Sequence, residues 1–235
     1  MAEGAGPDEK RGRRLALWIA LPYLSLGIVD ALYAGRISDP MWLYWLWDFV
    51  EQVLVGFLLL WGILHFAGWR LRDIGIGWPE GRWPALRLLG YAVIATLLLM
   101  SSLTDRLTDA MGVVPPVDDD YDYSIVLPEG RGLRILAVLY LCAASSVIEE
   151  IFYRGVLWRA ISPASSGLAR QACFVLVSTA FFGASHTEQG LYGVISTGLW
   201  GAMCSVLLLL MRNLWPLIAG HAATNLYQFR YELLG

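Results

Sequence analysis

The sequence predicts an all-α, polytopic transmembrane helical bundle of about seven spans (six to eight), and three observations carry that expectation. Apolar residues make up 57% of the 235-residue chain and charged ones only 16%, against roughly 45–50% and about 25% in soluble domains. A soluble domain of this size cannot bury that excess, because its surface-to-volume ratio demands more polar cover. The apolar residues fall in long runs, such as Val53 to Ala67 and Gly201 to Met211, which points to lipid as the solvent. Eleven tryptophans fit the membrane–water boundary that indole favours; Trp42, Trp45, Trp47, Trp69, Trp78 and Trp83 lie beside apolar runs or between them.

A hydrocarbon core about 30 Å thick takes about 20 helical residues, which places spans at about 15–35, 43–67, 84–104, 133–160, 170–187, 190–211 and 213–230. Residues 1–14 are expected to form a cytoplasmic tail carrying Lys10, Arg11, Arg13 and Arg14. The first apolar run follows them as in a signal peptide, but no small-x-small cleavage site precedes Arg36, so the span is expected to be retained. Asp30 in span one, and Asp48, Glu51 and Gln52 in span two, are costly at membrane depth unless paired or facing a cavity. Gly75, Gly77, Pro79, Gly81 and Pro84 break the chain before span three. Residues 105–132 read as an acidic hydrophilic loop with Pro115-Pro116 and the run Asp118, Asp119, Asp120 and Asp122. With no internal repeat and no separate soluble domain, residues 1–235 are expected to form a single membrane domain.

With the N-terminus cytoplasmic, seven spans put twelve of the seventeen basic residues on the cytoplasmic side; the positive-inside rule prefers that orientation. Cys142, Cys173 and Cys204 lie singly in apolar stretches, a pattern that excludes a disulfide framework and reads as small core residues. Low lysine content with abundant Arg, Gly, Ala and Trp suggests a prokaryotic source and hence a plasma-membrane location. No nucleic-acid partner is expected.

The chemistry-bearing residues lie in the second half. Glu149 and Glu150 interrupt an apolar helix. Glu150 and Arg154 share a helix face at a spacing of four and can pair, whereas Glu149 points about 100° away and is left for another task. Phe182-Gly183-Ala184-Ser185-His186 ends an apolar helix. His221 and Asn225, again four apart, share a face. His65 has no polar companion at helical spacing and reads as a packing residue.

These residues stand as Glu149-Glu150-Ile151-Phe152-Tyr153-Arg154, Phe182-x-x-x-His186 and His221-x-x-x-Asn225, and in that order they resemble the motifs of the CPBP family, the CAAX proteases and bacteriocin-processing enzymes also called Abi. The resemblance covers about residues 130–230, the expected catalytic core; Leu71-Arg72-Asp73-Ile74-Gly75-Ile76 also looks typical of the family. It implies an intramembrane endopeptidase with a polar active-site cavity between the C-terminal helices. In eukaryotic relatives it implies removal of the tripeptide after a prenylated cysteine. In bacterial relatives it suggests leader removal, bacteriocin immunity or membrane-protein processing.

Both lines give the same roles. Glu149 can take a proton from water, His186 can hold that water or share the proton, and His221 with Asn225 can donate to the oxyanion. Glu150, Arg154 and Phe182 are expected to support them. No cofactor is expected, with zinc held by Glu149, His186 and His221 as the alternative; no His-Glu-x-x-His helix is present, and Asn225 is a better amide donor than zinc ligand. The expected partners are a peptide or membrane-protein substrate and the lipid bilayer. A non-proteolytic scaffold or immunity protein of the same fold is the alternative function.

Overall fold

The computed structural model describes residues 6–34, 41–114, 126–162 and 167–234, with the side chains of 30–34, 232 and 234 outside that set. All regular structure among them is helical. Helix α1 spans Pro7–Ala34. A second rod runs Met41–Phe66, built of α2 (Met41–Asp48), a π-helical segment (Phe49–Val55) and α3 (Gly56–Phe66). Next come α4 (Arg82–Leu99) and the short α5 (Leu103–Ala110). A third rod, Arg131–Ile161, comprises α6 (Arg131–Glu149), a second π-helical segment (Glu150–Val156) and α7 (Leu157–Ile161). The chain ends with α8 (Leu168–Ala184), α9 (Gly190–Met211), α10 (Trp215–Gln228) and α11 (Arg230–Leu234).

Each of the seven expected spans is a helix. Among the described residues, four stretches are long and apolar enough to cross a membrane: Met41–Phe66, Arg82–Ala110, Arg131–Ile161 and Thr187–Met211. Large apolar side chains such as Trp18, Leu58, Leu97, Leu176 and Leu210 point outward, a pattern suited to lipid and untenable in water. The third rod is the centre of the bundle. Half of its apolar window is buried inside the protein, against 17% for Arg82–Ala110. Around it, α8 pairs with α9, α10 packs against both α4 and α6, and α1 lies along α3 and the second π segment.

Close backbone approach sets this packing. A Cβ on Gly155 would lie 2.6 Å from the Ile74 carbonyl oxygen, and one on Gly183 would lie 2.6 Å from that of Val194. The segment before α4 is thus part of the core. Leu71–Ile74 forms a 3-10 turn, Gly75 at φ 93° follows it, and Gly75 accepts a hydrogen bond from the Leu214 amide at 2.9 Å. Asn213 Nδ2 donates to Gly77 O at 2.8 Å.

Residues 7–14 of the expected tail are the first turns of α1; Glu9 accepts from Arg13 at 2.7 Å within the segment and from Arg159 at 3.0 Å, and the second bond holds the segment to α7. Two expectations are corrected. Residues 105–110 of the acidic loop are helical as part of α5; the Asp118, Asp119, Asp120 and Asp122 run and the Asp30 side chain lie outside the described residues. Cys142 and Cys204 are buried as expected, but Cys173 is exposed, because it falls on the outward face of α8.

Gly155→Leu is expected to destabilise the fold by several kcal/mol, about the upper end for overpacking or beyond, because the obstacle is backbone; thermal unfolding in detergent measures it. The Glu9 carboxyl is held below its usual range, first by the Arg13 hydrogen bond and then by that from Arg159. Its folded value being depressed, the clamp's stabilisation is complete above the ordinary value of 4.5 and is lost as pH falls through the lower folded value. Hydrogen exchange of residues 7–14 should therefore accelerate in acid, and Glu9→Gln should abolish that step.

Candidate active site

Three helices bring the motif residues together, and a buried ion pair joins them. Glu150 and Arg154, both fully buried, lie within the second π segment with Arg154 Nη1 3.3 Å from Glu150 Oε1. The same Oε1 lies 3.1 Å from His221 Nδ1 on α10. Glu150 therefore binds across the bundle to His221 as well as along its own helix to Arg154. A carboxylate only accepts, so His221 Nδ1 carries the hydrogen. Its Nε2 faces Glu149 Oε2 at 3.8 Å.

The guanidinium of Arg154 is held by ring faces. Its Cζ lies 4.0 Å from the Phe182 centroid and 5.6 Å from that of Trp200, and among the described residues its nitrogens find no oriented hydrogen bond. A weakly hydrated, planar cation suits such an aromatic box. Trp200 stacks on Phe182 at 5.7 Å and meets His221 edge-on at 4.7 Å. Gly201 leaves room for this cluster, since a Cβ there would meet Phe182 at 2.9 Å and Arg154 at 3.1 Å.

The Phe182–His186 spacing has a capping origin. Helix α8 ends at Ala184, where the last carbonyls of a helix lack amide partners. The Ser185 amide bonds Phe181 O and that of His186 bonds Gly183 O; the Phe182 carbonyl accepts from Ser185 Oγ at 2.9 Å and from His186 Nδ1 at 2.8 Å. With its hydrogen on Nδ1, His186 keeps Nε2 as an acceptor. Phe182 thus serves twice, with its ring against Arg154 and its carbonyl on His186.

Glu149, His186, His221 and Asn225 all line one cavity of 690 Å³, with Phe182 and Trp200 in its wall. Asn225 Nδ2 donates to Ser145 Oγ at 3.0 Å, which leaves the second hydrogen of that amide. Glu149 is 17% exposed and Glu150 not at all: adjacent carboxylates face the cavity and the core respectively. Glu150 and Arg154 are absent from the lining. Among the described residues no group of three or more His, Cys, Asp or Glu side chains is gathered so as to hold a metal ion. His65 is remote from this region, stacked on Trp61 at 5.2 Å.

Several contributors carry no sequence signal at motif spacing. Trp200 and Ser145 are reached only through the fold. Asp48, Glu51 and Gln52, whose depth in span two demanded a partner or a cavity, do line this cavity. Gln52 Oε1 accepts from Tyr23 at 2.9 Å, and Tyr23 stacks on Phe152 of the third rod at 4.4 Å.

Residues 131–227 match the protein family described as Rce1-like, type II CAAX prenyl endopeptidase. The motif-bearing stretch is thus similar to a CAAX-type endopeptidase family. The match begins with α6 and ends within α10, so it contains all three motifs and the whole buried cluster, in agreement with the CPBP resemblance. No curated protein and no solved structure matches the chain.

Removing Glu150 leaves a buried guanidinium without its counter-charge. Glu150→Ala is expected to cost about 3–5 kcal/mol and Glu150→Gln less, since the amide keeps an acceptor for His221. Unfolding in detergent micelles, run beside a surface control, reads both.

Proposed function

We propose that this protein is an intramembrane endopeptidase that hydrolyses a membrane-associated peptide with a water activated by Glu149 and His186. The observation that carries this reading is the convergence of Glu149, His186, His221 and Asn225 on one cavity inside the stretch that matches the endopeptidase family. Glu149 and His186 Nε2 are two acceptors for the water's proton, as general-base catalysis needs. His221 is bound at Nδ1 by Glu150, so its Nε2 donates when the ring is doubly protonated. Imidazolium Nε2–H and the second Asn225 amide hydrogen then supply the oxyanion contacts.

After water attacks the carbonyl carbon, its proton passes through Glu149 or His186 to the leaving amine. The C–N bond breaks to give a carboxylate and an amine. Asn225, a good amide donor and an uncommon zinc ligand, favours this metal-free route over zinc.

We assign the N-terminus to the cytoplasmic face of a prokaryotic plasma membrane. The N-terminal turns of α1, the Ala67–Gly77 segment, Arg159 and Asn213 contact one another at one end of the bundle, and the basic residues of these segments gather there. The cavity lies toward the other end, where Thr104, Asp105, Glu188 and Phe229 line it. In this orientation substrate enters from the non-cytoplasmic side.

Wild type and the Glu149→Ala and His186→Ala variants, purified at full length, should be assayed on membrane-tethered peptides. The expected loss is at least about 100-fold in each variant, as for removal of a general base, with folding retained and activity resistant to chelation. Full biological function in both variants would establish a non-proteolytic scaffold, and activity lost on metal depletion and restored only by zinc would overturn the metal-free route.

A further inference from the structure

Ser145 stands one helical turn before Glu149 on α6, and Asn225 stands one turn after His221 on α10, so each pair shares a face of its helix. The two faces meet at matched levels. Asn225 Nδ2 lies 3.0 Å from Ser145 Oγ, and one turn along His221 Nε2 lies 3.8 Å from Glu149 Oε2. All four residues line the cavity. Ser145 precedes the Glu149–Arg154 motif and belongs to none of the three, yet it is the side chain that holds Asn225 in this ladder.

The serine hydroxyl has one hydrogen, and that hydrogen is committed. Ser145 Oγ donates to the Leu141 carbonyl at 2.8 Å, the back-bond available to any serine inside a helix. Toward Asn225 the oxygen can therefore only accept. This decides which end of the Asn225 amide faces it, because a turned-over amide would set two acceptor oxygens against each other in a half-buried place. Ser146 makes the same back-bond to Cys142, but it is fully buried and absent from the cavity lining. The two serines share a local role, and Ser145 has a second one across the bundle.

Stabilising an oxyanion needs the donor in place before the charge develops. An amide free to turn over would offer oxygen as readily as nitrogen, and an oxygen there repels the forming anion. We propose that Ser145 is a positioning residue: it fixes the sense of the Asn225 amide, so that the second Nδ2 hydrogen is kept for the oxyanion. The proposal rests on the peptidase reading for what Asn225 stabilises, but not for how its amide is held.

The test uses the full-length protein in lipid vesicles, with acyl-anchored peptides as substrate. Wild type is compared with Ser145→Ala, Ser145→Thr, Asn225→Ala, the Ser145→Ala/Asn225→Ala double variant and, as control, Ser146→Ala. Losing an interaction realised only in the transition state lowers kcat and spares KM. Ser145→Ala should therefore lose about tenfold in kcat, the worth of one hydrogen bond, with KM unchanged. Ser145→Thr, which keeps the hydroxyl, should restore the wild-type rate, and Ser146→Ala should retain it. The double variant should be no slower than Asn225→Ala, because Ser145 acts only through Asn225. A second readout needs no turnover. The chain has two asparagines, Asn213 and Asn225, so isotope labelling of asparagine alone resolves both side-chain amides by NMR in detergent micelles. Ser145→Ala should shift the Asn225 amide signal and leave that of Asn213 in place.

An undiminished kcat in Ser145→Ala, a loss that multiplies with that of Asn225→Ala, or an Asn225 signal unmoved by the substitution would overturn the proposal. Should Ser145→Ala not fold, Ser145→Cys, whose thiol is a weak acceptor, takes its place in every comparison. Absence of cleavage by wild type removes the peptidase reading instead, and the amide signal alone then decides whether Ser145 holds Asn225.

Discussion

The buried contact among Glu150, Arg154 and His221 is the constraint on which the rest of the site depends. An ion pair with no exposed surface is tolerable only when charge and geometry are compensated, because either partner alone carries a large desolvation penalty. Here the compensation comes from other helices. The His221 Nδ1 hydrogen reaches Glu150 from α10, and the Phe182 and Trp200 rings reach Arg154 from α8 and α9. None of these helices can shift without exposing a charge to apolar surroundings. The energetic cost of the pair thereby fixes the relative positions of the elements that carry Glu149, His186 and His221.

Neighbouring glutamates perform different tasks because of where the helix changes form. The third rod passes from α to π winding between Glu149 and Glu150, and π turns inside α-helices occur often at functional sites. The turn is supported from outside its own helix: Ser178 Oγ donates to the Tyr153 carbonyl at 2.7 Å and accepts from Ser205 at 2.9 Å. The second rod has a π segment of its own, Phe49–Val55, and the two rods meet closely enough that a Cβ on Gly56 would lie 2.8 Å from Ile148. The cavity walls that carry Glu51 and Glu149 are thus set where the irregular turn of the second rod packs against α6.

Much of this was legible in the sequence, and what was not has a physical reason. Helix existence follows from apolar runs, and the Glu150–Arg154 and His221–Asn225 faces follow from helical spacing, both properties of a few consecutive residues. The bond from Glu150 to His221 joins residues 71 apart, and that from Asn225 to Ser145 joins residues 80 apart; no local period encodes either. Glu150 was therefore expected to support Glu149 through their common helix, while its direct bond across the bundle is to a histidine. Trp200 was similarly silent, since one tryptophan among eleven carries no mark of position. The helical start at Pro7 escaped notice because charge suggested a solvated tail, whereas Glu9 pairs those turns with Arg159.

In the proposed mechanism the two histidines take opposite duties, and each ring is oriented by the group at its Nδ1. The backbone carbonyl of Phe182 holds Nδ1 of His186, which keeps Nε2 as an acceptor. The carboxylate of Glu150 holds Nδ1 of His221 and turns its other nitrogen toward Glu149. This division needs no difference in the motifs themselves, since each histidine sits at a spacing of four from its companion. It arises because Phe182 is the unsatisfied end of a helix and Glu150 is a buried anion.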